Sequence, residues 1–380
     1  VEKRSLIKRI RFLWAGLDPN LSFILLALIV VGNVTFLSAS SGTVITWVEQ
    51  LRNLMIAFII MWFTSRVPVK WLEKASVWIY SIGLGLLIAV ALFGLIKKGA
   101  RRWLNIGMVI QPSEIMKIAM PMMLSWYFYK REENTKLWDF GVAFLFLLLP
   151  TILIARQPDL GTAILVFAAG FYVIILAGLP WKFILPFIGL GVIGILLIVI
   201  FGDTICAKGV TWPILKSYQQ HRVCTLLDPT TDPLGKGFHT IQSMIAIGSG
   251  GLLGKGWLKG TQTHLDFIPE KHTDFIFAVY SEEFGLVGNF VLLILFLLLI
   301  QRGLKIAASA PNLYTRLLGG SVTLIFFTYA FVNMAMVSGL LPVVGVPLPF
   351  ISYGGTALTT LGLGVGILMS IHRHRRLVQT

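Results

Sequence analysis

Apolar residues along this chain fall in long blocks, with neither the alternation of half-buried strands nor the single stripe of surface helices. Ten stretches, near 20–40, 50–66, 72–95, 112–129, 137–155, 160–178, 181–201, 275–301, 316–338 and 352–371, come close to the ~20 residues a helix needs to cross a bilayer. The pattern therefore predicts an all-α integral membrane protein of about ten transmembrane helices, with residues 1–380 forming a single polytopic domain. The first block is too long for a signal-peptide core and no small-residue cleavage site follows it, so it is expected to remain as an anchor. Composition agrees: 56% of the residues are hydrophobic and 13% charged, and a water-facing surface of that make-up would aggregate. A disordered chain and a cytosolic enzyme are both excluded.

The net charge of +15 would suit a nucleic-acid partner, but the basic residues sit between the apolar blocks. With the N-terminal Lys3, Arg4, Lys8, Arg9 and Arg11 inside, 18 Lys and Arg fall in inside segments. Six (Arg52, Lys97, Lys98, Arg101, Arg102 and Arg156) fall in short outside connections. This asymmetry puts both termini in the cytoplasm and accounts for the charge without nucleic acid. Lys97, Lys98, Arg101 and Arg102 violate the rule together and need a separate reason, either phospholipid headgroups or an anionic substrate.

One connection differs from the rest. Residues 202–271 form a large loop on the outer side, between the seventh and eighth helices, and Trp212, Tyr218, Phe238, Trp257 and Phe267 make it too aromatic for disorder. Cys206 and Cys224 fall there, in a compartment that would be oxidising; a disulfide and two free thiols both stay open. Its glycine-rich run Gly248 to Gly256 fails the P-loop pattern, which needs Gly at 249 and Ser or Thr at 256, and the dinucleotide pattern, which needs Gly at 253. A tight turn with close backbone packing is the expectation, and no nucleotide or redox cofactor is implied. The six histidines show no metal-ligand spacing beyond His372 and His374 in the basic tail.

Ionisable groups at membrane depth are expensive, so each is a functional candidate: Glu114, Lys117, Asp159, Asp274, Glu282 and Glu283. Glu114 and Lys117 stand three apart after Pro112, on one face of a helix, and could be a working pair or a dipole-complementing salt bridge. Asp274 follows Lys271 and His272 at the edge of the eighth helix, where a general base could be tuned; Thr273 or Asp274 could equally cap that helix. Glu282 and Glu283 lie two turns deeper and suit the binding of buried polar groups. Pro342 to Pro349 cannot run as regular helix and should form a re-entrant or capping segment, continued by a polar lining at Ser352, Tyr353, Gly354 and Gly355.

At these positions the sequence resembles a known family. Arg102-Trp103-Leu104, Gln111-Pro112-Ser113-Glu114 with Lys117, Gln157 to Thr162, Asp232 to Gly235, Ile241-Gln242-Ser243, Ala246 to Gly251, Pro269 to Phe277, Glu282-Glu283 and Gly345 to Gly355 together resemble the SEDS family of peptidoglycan polymerases. Lys255 to Gln262 looks like its rod-shape elongation branch (RodA) rather than its division branch (FtsW). The resemblance implies a glycosyltransferase that polymerises lipid II on the outer face of the plasma (inner) membrane, beside a class B penicillin-binding protein that cross-links the glycan. It also implies that Asp274 is the essential carboxylate and that Glu114 and Lys117 are sensitive positions. Asp274 would take the acceptor proton. Arg101, Arg102, Lys271 and neighbouring basic residues, Arg222 among them, or a divalent Mg or Mn ion would hold the departing diphosphate, with His272, Asp159, Glu282 and Glu283 in support. Two rivals remain: a flippase for the same lipid-linked precursor, and a non-catalytic scaffold for the penicillin-binding protein.

Overall fold

The computed structural model describes residues 17–40, 43–97, 100–105, 109–207, 210, 217–231, 235–265, 267–268 and 270–378. Lys3, Arg4, Lys8, Arg9 and Arg11, Lys98, Trp212, Asp232 to Leu234 and Pro269 lie outside the described residues. In chain order the helices longer than four residues are α1 (Pro19–Ala39), α2 (Val44–Thr64), α3 (Val69–Phe93), α4 (Pro112–Lys130), α5 (Leu137–Arg156), α6 (Leu160–Leu176), α7 (Trp181–Ile200), α8 (Ser217–Leu227), α9 (Lys236–Ser249), α10 (Ile276–Ala308), α11 (Leu313–Val337) and α12 (Gly355–Val378). The ten apolar blocks correspond to α1 to α7 and α10 to α12. Seven of these are long and apolar enough to span a membrane: α1, α3, α5, α7, α10, α11 and α12. α6 is apolar but shorter, and polar residues such as Glu49, Gln50, Arg52 and Asn53 dilute α2.

Local sequence sets the helix ends. Asp18 caps α1 by accepting from the N–H groups of Asn20 and Leu21, with Pro19 opening the first turn. Asp159 caps α6 through the N–H of Thr162, and Asn312 caps α11 through that of Thr315. Between α3 and α4 the chain departs from the all-helical expectation in one small antiparallel sheet, β1 (Leu95–Lys97), β2 (Ala100–Asn105) and β3 (Val109–Ile110), ordered β1-β2-β3. Ile96 pairs with Arg101 and Lys97 with Ala100. Lys97, Arg101 and Arg102 are thus borne on a hairpin, too short to give a legible alternation.

α11 is the axis of the fold. It packs on α4, α6, α10 and α12, and its Tyr314, Phe326 and Tyr329 are among the largest fully buried side chains. α2 lies along α12 at very close range, because a Cβ on Gly362 would come 2.5 Å from the Ala57 carbonyl oxygen and one on Gly366 2.6 Å from Thr64. Small residues four apart that let two backbones touch are how helices associate in lipid, where burying apolar surface gives no drive. α7 is the opposite case, with Ile184 its one buried residue.

α10 departs from the continuous span expected at 275–301. Gly285 has φ 63° and ψ −161° and breaks the helix. The glycine-rich turn is inserted there: the carbonyls of Glu282 and Glu283 accept from the N–H groups of Lys255 and Gly256, and the N–H groups of Leu286 and Val287 donate to the carbonyls of Gly251 and Leu252. A Cβ on Gly285 would lie 2.3 Å from the Gly254 nitrogen, so both strands of this crossing need glycine. Four backbone groups at the break are thereby re-paired, as a low-dielectric setting favours.

Candidate functional site

Asp274 sits just ahead of α10, half-buried, where three successive carbonyls are held from outside the helix. Tyr353 N–H donates to the His272 carbonyl at 2.8 Å, Ser352 Oγ to that of Thr273 at 2.6 Å and Asn333 Nδ2 to that of Asp274 at 2.9 Å. Asn333 also donates to the Val346 carbonyl at 2.7 Å, and Leu348 N–H to Ser352 Oγ at 2.8 Å. The irregular 339–354 segment and α11 thereby fix the backbone under Asp274 on both sides. Its carboxylate faces Gly345, where a Cβ would stand 3.3 Å from Oδ2 and φ is +75°. Glycine is needed there for the left-handed backbone and for the space beside the carboxylate. The capping alternative is not realised, since Phe275 occupies the N-cap of α10 with no side-chain capping bond.

The same segment reaches the second carboxylate. A Cβ on Gly161 would lie 2.7 Å from the Val344 carbonyl oxygen and 3.4 Å from that of Gly345, so the start of α6, which Asp159 caps, abuts the residues that face Asp274. Asp159 accepts from Gln111 Nε2 at 3.0 Å and lies 3.9 Å from Arg102. The Arg102 guanidinium donates to the carbonyls of Gln157 and Pro158. It keeps a third of its side-chain surface exposed, so its positive charge stays open to a ligand. Arg101 stands beside it on β2.

Glu114 and Lys117 form the third part. Lys117 Nζ, 3% exposed, lies 2.6 Å from Glu114 Oε1 and 2.8 Å from Tyr329 Oη, while Thr360 Oγ1 donates to Glu114 Oε2 at 3.2 Å. The pair thus ties α4 to α11 and α12. Tyr329 and Asn333 are four residues apart on α11 and share a face, so one helix holds both Lys117 and the backbone at Asp274.

The remaining candidates go elsewhere. Glu282 is 0% exposed and accepts from Lys255 Nζ at 2.7 Å, from the hydroxyls of Thr261 and Thr263, and from the N–H groups of Gln262 and Thr263. Glu283, also buried, takes a hydrogen bond from Ser38 on α1. Glu282 thus fastens the 202–271 loop to α10, and Glu283 fastens α10 to α1. Lys271 is buried and donates to the Thr263 carbonyl at 2.9 Å, so its ammonium does not extend toward a diphosphate. The His272 ring packs at 5.8 Å from Phe36, which stacks on Tyr353. Arg222 lines a small recess with Thr225, Thr240 and Pro342. Among the described residues no three His, Cys, Asp or Glu side chains gather into a metal cage, and the donor set at Asp274 offers one carboxylate. The described residues there form no cage for a resident divalent ion.

Asn333 escaped the reading of the sequence, although a lone amide inside an apolar span is a signal of the same kind as an intramembrane carboxylate. Cys206 and Cys224 are joined in a disulfide, with Cα atoms 5.6 Å apart.

Helices of membrane length around a cluster of carboxylates, amines and a glycine-hinged irregular segment define a polytopic membrane protein with a polar site at one end. The chain belongs to the FtsW, RodA and SpoVE family of cell cycle proteins, whose model matches residues 19–377. It is 48% identical to the peptidoglycan glycosyltransferase MrdB of Escherichia coli (strain K12), over 95% of both chains. It is 31% identical to the peptidoglycan glycosyltransferase RodA of Treponema pallidum, over 93% of this chain and 97% of that one. Among solved structures it is similar to one described as a peptidoglycan synthase complex that coordinates polymerization and crosslinking (30% identity, TM-score 0.78, 95% of this chain and 99% of that one). It is also similar to the rod shape determining protein RodA of Thermus thermophilus (27% identity, TM-score 0.70, 95% and 98%).

Proposed function

We propose that this chain is the peptidoglycan glycosyltransferase of cell elongation, polymerising lipid II at the outer face of the plasma membrane. The observation that carries the reading is the fixation of Asp274, whose backbone is held by Asn333, Ser352 and Tyr353 while Gly345 leaves its carboxylate room. In the reaction an acceptor sugar hydroxyl forms a bond to the anomeric carbon of the donor as the bond to the lipid diphosphate breaks. Asp274 takes the hydroxyl proton, and the diphosphate leaves with the bonding electrons. A general base must be held within hydrogen-bond reach of its proton, and the fixed backbone serves that need. Arg102 supplies positive charge toward the leaving group. Lys117 keeps α4, α11 and α12 in register and does no chemistry.

The 18 to six distribution of basic residues supports an orientation with both termini in the cytoplasm. A disulfide in the 202–271 loop supports the same assignment, because such bonds persist outside the reducing cytosol. The partner is a class B penicillin-binding protein, a reading supported by the likeness to a complex that couples polymerization to crosslinking. A flippase would need polar groups along the full membrane depth, whereas here they gather at the outer end, around Asp274, Asp159 and Glu114.

Two measurements test the reading. Purified protein with its partner should convert lipid II into glycan polymer, and Asp274→Ala should abolish the product at matched membrane levels. Precursor translocation without polymer would make it a flippase. For orientation, a cysteine replacing Lys236, with Cys206 and Cys224 exchanged for serine, should react with an impermeant thiol reagent on intact spheroplasts; labelling only after lysis would reverse the topology.

A further inference from the structure

α2 carries Glu49, Gln50, Arg52 and Asn53 in its first half, and charged or amide groups at membrane depth are costly enough that each needs a task. For three of them the contacts supply one. Glu49 Oε2 accepts from Tyr353 Oη at 3.0 Å. Gln50, 2% exposed, donates from Nε2 to the Ser352 carbonyl at 3.4 Å. Asn53 is buried against the start of α12, where a Cβ on Gly355 would stand 3.4 Å from its Oδ1. Positions 49, 50 and 53 share one face of the helix, and Ala57, which meets Gly362, continues it. Arg52 falls beside that face and is exposed.

The residues that α2 grips are the ones behind the candidate base. Tyr353 N–H holds the His272 carbonyl, and Ser352 Oγ holds that of Thr273. Tyr353 therefore reaches from α2 to the chain two residues ahead of Asp274. Its hydroxyl bonds Glu49, its ring stacks at 5.8 Å on Phe36, and Phe36 packs at 5.8 Å on the His272 ring. Stacking fixes the plane of a ring but lets it slide within that plane, and a hydrogen bond at the far end removes this freedom. Of the two bonds from α2 the phenol's is the strong one, because a hydroxyl donating to a carboxylate is charge-assisted while the Gln50 bond is long and neutral. The bond is not needed to hold the bundle together, since the close approaches at Gly362 and Gly366 already lock α2 on α12.

We propose that Glu49 is a positioning residue for the transfer reaction, acting through the Tyr353 hydroxyl on the Tyr353 main chain, the His272 carbonyl and thereby the placement of Asp274. The inference rests on Asp274 being the general base, and extends its support to α2, a helix that lends the site no reacting group. Glu49 itself holds no substrate. A base displaced by a fraction of an ångström loses rate and keeps affinity, because the error falls on the proton transfer.

The test compares the full-length protein, with its partner and at matched levels of folded protein, as wild type, Glu49→Ala, Glu49→Gln, Tyr353→Phe and the double variant Glu49→Ala with Tyr353→Phe. Glu49→Ala and Tyr353→Phe should each lower kcat for polymer formation about 5-fold, with the KM for lipid II within about 2-fold of wild type. The double variant should be no worse than either single one, because both remove the same bond. Glu49→Gln keeps an acceptor oxygen for the phenol and should lose no more than about 2-fold. A second readout needs no polymer: backbone hydrogen exchange over residues 270–277, followed by mass spectrometry, should quicken several-fold in Glu49→Ala and Tyr353→Phe and stay near the wild-type rate in Glu49→Gln. A change confined to KM, additive losses in the double variant, a Glu49→Gln as impaired as Glu49→Ala, or exchange unaltered by Glu49→Ala would each overturn the proposal. A wild type that makes no polymer would instead sink the glycosyltransferase reading, and the exchange comparison would still decide whether Glu49 braces Asp274.

Discussion

Asp274 and Glu282 lie two turns apart at one end of α10, and they could hardly be placed more differently. Glu282 is sealed and holds five hydrogen-bond donors, among them Lys255. At Asp274 the backbone is held through Asn333, Ser352 and Tyr353, and a glycine faces the carboxylate. A carboxylate saturated by donors in a dry site serves structure, because any proton it took would have to displace them. One positioned through its main chain, with a glycine beside it, suits a reacting group.

Removing the charge at Glu282 should have the largest effect on stability. Glu282→Gln leaves Lys255 without its partner, and breaking a buried ion pair costs about 3 kcal/mol. The melting temperature in detergent should fall markedly, and an unchanged value would erase the contrast with Asp274. Gly345→Ala attacks the other corner. Its left-handed backbone costs a non-glycine residue about 1–2 kcal/mol, and the new methyl would press on Asp274, so polymerisation should drop ~10-fold or more. Wild-type activity in this variant would show that the space beside the carboxylate is unimportant.

Asn333→Ala removes the side chain that holds the carbonyls of Asp274 and Val346. As a positioning change it should lower kcat about 10-fold and leave the KM for lipid II nearly unaltered; a change confined to KM would place Asn333 in substrate binding. The smallest effect is expected from the coupling of Glu114 and Lys117. Each single neutralisation, Glu114→Gln or Lys117→Met, strands a buried charge, so the double variant should be less impaired than the sum of the two by 0.5–3 kcal/mol. Additive losses would mean the residues act independently.

Hydropathy carries most of the fold into view, because membrane span length is a physical requirement that composition must meet. The ends of α4, α5 and α6 lie within two residues of the expected ones, where Pro112, Lys136 and Asp159 mark the starts. What the linear pattern could not hold is long-range. The break at Gly285 depends on a turn some 30 residues earlier in the chain, and within an apolar block a glycine at a break looks like any other. Glu282 and Glu283 read as candidates because burial of charge is legible in a sequence while the identity of the partners is not. The convergence of Asp274, Asp159 and Lys117 arises from α11 and the 339–354 segment, neither of which carries a charge near the site.

The comparison of the two α10 carboxylates is tested most directly by measuring glycan polymer formed per folded molecule in Asp274→Asn and Glu282→Gln, side by side with wild type and with the partner present. Asp274→Asn keeps the size of the side chain but cannot accept a proton, so its rate should fall at least ~10²-fold at an unchanged melting temperature. Glu282→Gln should stay within a few-fold of wild type for the molecules that remain folded. An active Asp274→Asn, or a stable Glu282→Gln that makes no polymer, would contradict the assignment of the chemistry to Asp274.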